Sequence, residues 1–309
     1  MSLPPLLQPE LPFHANRSDF IRIWNRERGK RGFHRIGERI WSSMIVPLLK
    51  GLLAFMEAMK VLRIIPAPVW TIGSMLVSIA VYSSRMGWAL AWGFIILLLI
   101  HECGHLLAAR WYGARMSVPI FIPYIGAIID MKQPMRNAWE EAVFGISGPV
   151  LGSLGAFACL GIHQLTGSFY FAELALFGFF LNLFNLIPLG FLDGGHVAVA
   201  LSRWLWVPGY LMMAAFAWFI HSPAVFLVLV VMSPMVHSLF RRKSPKHLEK
   251  QQSYDRVSLQ KRLTMGVLYV GLVAILFASM CWVWCKDIYP ALKEGKSSSP
   301  LALSVNAKK

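Results

Sequence analysis

Residues 88–110 read WALAWGFIILLLIHECGHLLAAR. The segment from Trp88 to Ile100 carries no charge, and His101, Glu102 and His105 then follow within five residues. A run this apolar, ended only by Arg110, has the length and composition of a membrane-spanning helix. Histidines four apart lie on one helical face, where both can ligate one metal ion. The glutamate between them is placed to serve as general base toward an activated water, the HExxH arrangement of zinc hydrolases. Ionisable groups inside an apolar span are costly and therefore point to function.

The rest of the chain agrees with a membrane setting. Of its 309 residues, 56% are hydrophobic and 15% charged, and the mean hydropathy is +0.55. The net charge of +15 is not spread like a nucleic-acid-binding face. It gathers in the first 40 residues and in 241–262, beside apolar segments, and nucleic acid is not an expected partner. Basic juxtamembrane segments mark a cytoplasmic side and attract anionic lipid. The start of the chain, polar and basic through Arg39, lacks the early apolar run of a cleaved leader. Four cysteines, Cys103, Cys159, Cys281 and Cys285, all fall in apolar segments and read as reduced filler.

These features predict an all-α polytopic membrane protein of six to seven transmembrane helices. Residues 1–39 read as a basic cytoplasmic segment. Residues 40–62 read as an interfacial amphipathic helix, because Lys50, Glu57 and Lys60 share one narrow face. A core follows over 63–240, with spans at Val69–Ser84, Gly87–Ala109, Ala142–Ile162 and Phe169–Leu189. Two shorter spans, near 205–220 and 224–240, are separated by His221-Ser222-Pro223. A basic cytoplasmic loop at 241–262 leads to a last helix over 263–285, and the tail 286–309 is expected to be loose. The stretch 116–133, MSVPIFIPYIGAIIDMKQ, is β-branched, aromatic and broken by prolines. It predicts a small membrane-embedded β-hairpin, turning near Tyr124–Gly126, next to the active site.

A catalytic zinc takes a third protein ligand. Residues 185–196 read NLIPLGFLDGGH, where Pro188 ends the fourth span and Asp193 is the sole acidic residue between Glu173 and Glu249. A lone aspartate among apolar residues needs a partner or a metal. HECGH at 101–105 together with Asn185–Gly194, an NxxPxxxxDG pattern, resembles the site-2 proteases, intramembrane zinc metalloproteases. Gly148-Pro149 and PIFIPYIGA add to the likeness, which covers about residues 88–200. The resemblance implies one zinc per chain, held by His101, His105 and Asp193, with Glu102 as catalytic base. It further implies that Asn185 contacts the substrate backbone or the developing oxyanion. The substrate would be a transmembrane protein or peptide, and the protein would sit in a bacterial cytoplasmic membrane, its site toward the cytoplasm.

Other readings are weaker. A di-iron desaturase needs further histidine pairs that this chain lacks. Glu140 or Glu141 could supply a third ligand in a different protease class, but neither has a supporting motif. His196 as a fourth ligand would close the site to water, so it reads as lining. Gly148 and Gly152 read as close helix packing. An inactive membrane scaffold or transporter on the same fold is opposed by the intact Glu102.

Overall fold

Gly87 governs the start of the described structure, a computed structural model that covers residues 67–123, 126–129, 131, 133–221, 223–240 and 245–293. The segments 1–39 and 40–62 lie outside the described residues. Helix α1, Ala67–Trp111, is helical throughout except at Gly87, which takes φ 79° and ψ 158°. The positive φ is open to glycine at little cost, and here the chain reverses. Tyr82 and Phe94, twelve residues apart, place their rings 5.3 Å apart; along a straight helix that spacing would be about 18 Å. Ile79 consequently shares one buried cluster with Ala91, Ile95 and Leu98. The two arms, 67–86 and 88–111, match the two spans expected there.

Strands β1 (Ile120–Ile122) and β2 (Gly126–Ile128) form the expected hairpin, antiparallel, with Phe121 opposite Ala127. An isolated bridge, Met116 to Met131, extends the pairing. Phe121 is buried against the second arm of α1. Pro119 O accepts from Thr71 Oγ1 (2.9 Å), and Phe121 N–H donates to Ser74 Oγ (3.0 Å). The outer edge of β1 is thereby taken up by the first arm.

Helix α2 (Ala138–Thr166) starts at Asn137, whose side chain accepts from Glu140 N–H at 3.0 Å. It ends at Gly167 in the left-handed region (φ 67°). Helix α3 (Phe169–Asn185) returns beside it. α3 is shorter than the expected Phe169–Leu189 span because Pro188 has no N–H to continue the ladder. The loop that follows is pinned by Tyr269, whose hydroxyl donates to Leu186 O. Helix α4 (Asp193–Leu201) is almost wholly buried. A 3₁₀ turn at Arg203–Leu205 leads to α5 (Trp206–Ile220) and α6 (Pro223–Phe240). Inside the basic 241–262 segment the chain forms a helix, α7 (Pro245–Tyr254), before α8 (Leu259–Val283), a π turn at Trp284–Ile288 and the short α9 (Tyr289–Lys293).

Among the described residues, three helices are long and apolar enough to cross a membrane: Pro68–Trp111, Ala138–Thr166 and Leu259–Lys293. The expected six to seven is not reached on that measure. The two arms of α1 count as one helix, and α5, with 15 residues, extends only about 22 Å against a ~30 Å hydrocarbon core. All four cysteines are free, as expected.

Candidate metal centre

His101, Glu102 and His105 project from the second arm of α1, and Asp193 is the first residue of α4. None of the four is more than 8% exposed. His101 Nε2 and His105 Nε2 lie 3.2 Å apart. Asp193 Oδ2 is 3.1 Å from His101 Nε2, and its Oδ1 is 3.1 Å from His105 Nε2. Two ligands of one tetrahedral zinc, each at its usual bond length, stand roughly 3.3 Å apart. The two imidazole nitrogens have about that spacing, and each has one Asp193 oxygen at 3.1 Å.

The far sides of both rings are held. His101 Nδ1 meets Asn182 Oδ1 at 2.8 Å, and His105 Nδ1 meets the Phe144 carbonyl at 2.9 Å. Asn182 Nδ2 donates to Gly178 O (2.7 Å), so its oxygen is the atom turned toward His101. Each Nδ1 therefore carries its proton, and in the neutral rings both Nε2 lone pairs converge on a carboxylate. Protonating both Nε2 atoms would instead aim two N–H groups at one another across 3.2 Å. Asp193 Oδ2, although close to His101, is buried and accepts no hydrogen bond. Two imidazole nitrogens and an orphaned carboxylate oxygen fit a zinc site with an open position. Among the described residues this is the one group of three or more such side chains close enough to hold an ion.

Two glycines on α2 give these side chains their room. A Cβ on Gly148 would fall inside the His105 ring, and one on Gly152 would strike Asn182 Oδ1. The close helix packing expected at this pair is therefore packing against two particular side chains, His105 from α1 and Asn182 from α3. On α1, Gly104 brings the backbone against Ser147 and Gly148 in the same way.

Glu102 is buried beside the three donors and makes no hydrogen bond among the described residues. Its carboxylate is thus left unengaged next to the ligand set. Asn185, one turn past Asn182, donates to Leu181 O at 3.1 Å within its own helix. His196 is not one of the converging side chains and meets Glu141 Oε1 at 2.9 Å. Glu141 also accepts from Tyr254, and Glu140 caps the start of α2, so both glutamates are otherwise employed. Sequence reasoning missed Asn182 and the Phe144 carbonyl. The first had a signal: an amide in a span otherwise so apolar requires a partner.

A profile of peptidase family M50 matches residues 89–173, which include the HExxH motif and all of α2. Over that stretch the chain is similar to peptidase family M50. Among its relatives, a zinc metalloprotease of Methanocaldococcus jannaschii is 27% identical over 134 residues, covering 41% of this chain and 38% of that protein. A probable chloroplastic zinc metalloprotease of Arabidopsis thaliana is 36% identical over 69 residues, 21% of this chain and 13% of that one. Its counterpart in Oryza sativa is 33% identical over 85 residues, 25% and 14%. The chain therefore spans less than two fifths of the length of the curated relatives it matches. The solved site-2 protease from M. jannaschii aligns over 60% of this chain and 87% of its own, with 20% identity and a TM-score of 0.37.

Proposed function

We propose that the protein is a zinc-dependent endopeptidase that hydrolyses a peptide bond in or near a transmembrane segment of another protein. The observation that carries this reading is the buried convergence of His101 Nε2, His105 Nε2 and Asp193 on one point, beside an unengaged Glu102, in an apolar helix. His101, His105 and Asp193 would hold the ion. Zinc in such a site lowers the pKa of water toward about 7 and polarises a carbonyl.

The protein's own groups supply the rest. Glu102 takes the proton of the attacking water and delivers it to the departing amide nitrogen. Asn182 and the Phe144 carbonyl keep both imidazoles in the tautomer that offers Nε2. Asn185 lies at the end of α3, its carbonyl oxygen free of the Leu181 contact, and is our choice for a substrate contact. A transmembrane helix shields its own peptide bonds and has to unwind before cleavage. The hairpin offers extended backbone for strand addition. With the β1 edge held by Thr71 and Ser74, the β2 edge is our choice for a substrate strand.

By charge bias the site lies toward the cytoplasmic face of a cell membrane, with the basic segments on anionic lipid. The reading that makes the protein an inactive scaffold leaves a buried, intact Glu102 without a role. The test is Glu102→Gln, assayed with a membrane-segment peptide in detergent and in proteoliposomes. It should retain about one zinc per chain and lose at least ~100-fold of the cleavage rate. Undiminished turnover would end the proposal.

A further inference from the structure

Helix α4 carries the carboxylate of the ligand set, yet it is only nine residues long and has no side-chain cap at its start. Its first turn is held instead by two chains of contacts. In one, His196 Nδ1 meets Glu141 Oε1 at 2.9 Å, and Glu141 Oε2 accepts from the Tyr254 hydroxyl at 2.6 Å. In the other, the Trp206 indole donates to Gly195 O at 3.1 Å. Arg203 stacks over that indole, 5.4 Å from its centroid. The same guanidinium donates twice to Asp255, at 2.9 and 2.8 Å. Gln251 adds a third donor to Asp255 at 3.2 Å.

Both chains begin at one place, the end of α7, and both finish within three residues of Asp193. Between them lies Gly145, where a Cβ would collide with Asp193 O and His196 Cβ, so α2 and α4 touch backbone to backbone. Such a contact transmits small displacements, since packed interiors have little slack. Burial, then the bond to Glu141, raises the Tyr254 pKa above its ordinary value, so the phenol remains a donor at neutral pH.

We propose that Tyr254 and Asp255 are positioning residues for the metal ligand Asp193, so that the seating of α7 sets the grip of the site on its ion. Resting on the zinc reading above, the inference concerns a helix more than fifty residues further along the chain. Lifting α7 off α2 and α4 would loosen the metal.

The test measures zinc affinity of the full chain in detergent by chelator competition, together with the visible absorption of the cobalt-substituted protein. Tyr254→Phe removes one hydroxyl and nothing else. We expect it and His196→Ala each to weaken zinc about tenfold, the scale of outer-shell losses. The double variant should be no weaker than either single one, and Asp255→Asn should weaken zinc as well. The cobalt bands should shift in all of these variants. Unchanged affinity in Tyr254→Phe, or losses that multiply to about a hundredfold in the double variant, overturns the proposal. So does a lowered melting temperature with affinity and cobalt bands unaltered, which marks a merely structural role. Asp193→Asn is run beside them: if it too keeps zinc at full affinity, the zinc reading itself has failed, whereas its loss with intact Tyr254→Phe binding removes only the coupling.

Discussion

Two of the histidine–carboxylate contacts among the described residues differ in kind. At the candidate metal centre two imidazoles address one carboxylate, His101 and His105 each 3.1 Å from Asp193. At the other end of α2, a single imidazole does so: His163 Nε2 lies 3.3 Å from Asp287 Oδ1, with Nδ1 3.0 Å from Ser168 O. Here one ring reaches one oxygen from each of its nitrogens, and the two oxygens lie on opposite sides of it. At 101, 105 and 193 the partners are not so separated, because the two Nε2 atoms also face each other at 3.2 Å. What distinguishes a metal site from a tether is thus convergence of lone pairs, not the residue types. The tether has a mechanical use: it joins the end of α2 to the π turn that closes α8.

The strongest way to break this contrast is to neutralise the shared carboxylate. Asp193→Asn should lower zinc affinity by ~100-fold or more, beyond the loss expected of an outer-shell residue, measured by chelator competition. Retention of zinc at full affinity would make the triad a tether too. An intermediate effect is expected from Asn182→Ala. It removes the acceptor that fixes the His101 tautomer and should cost about 10–100-fold in affinity. Wild-type affinity in that variant would mean that the ring needs no outside hold. The smallest effect on the metal should come from His163→Ala. Zinc affinity should not change, while the buried Asp287 loses its partner and stability falls by about 1–3 kcal/mol, read from thermal unfolding in detergent. If His163→Ala also releases zinc, the two ends of α2 are not independent and the comparison collapses.

How much of this was legible beforehand follows from the range of each interaction. His101 and His105 share a face because helical periodicity is local, and four residues suffice to fix it. The separate spans at Val69–Ser84 and Gly87–Ala109 and the hairpin near 120–128 were readable for the same reason, from local apolar, proline and β-branched content. Asp193 was readable as a lone carboxylate without an adjacent partner, though its distance from the histidines in the chain left the meeting itself to be inferred. The choice between Asn182 and Asn185 was not readable. α3 is apolar all round, so its sequence does not say which face turns toward α1; packing of Gly178 on Ala156 and of Gly152 on Asn182 decides that. The purpose of Gly148 was hidden likewise, since a gap is defined by what fills it, and the His105 ring comes from another helix.

By itself, then, the sequence pointed to a helical membrane protein, to a histidine pair with a glutamate between, and to a likeness to the site-2 proteases. Tertiary structure alone decided which amide orients His101, that Glu141 and His196 bind each other, and that α7 reaches the turn bearing Asp193. The physical reason is that these contacts join residues 55 to 113 positions apart. Side-chain periodicity carries no information over such distances, and only the packing of whole helices brings the partners together.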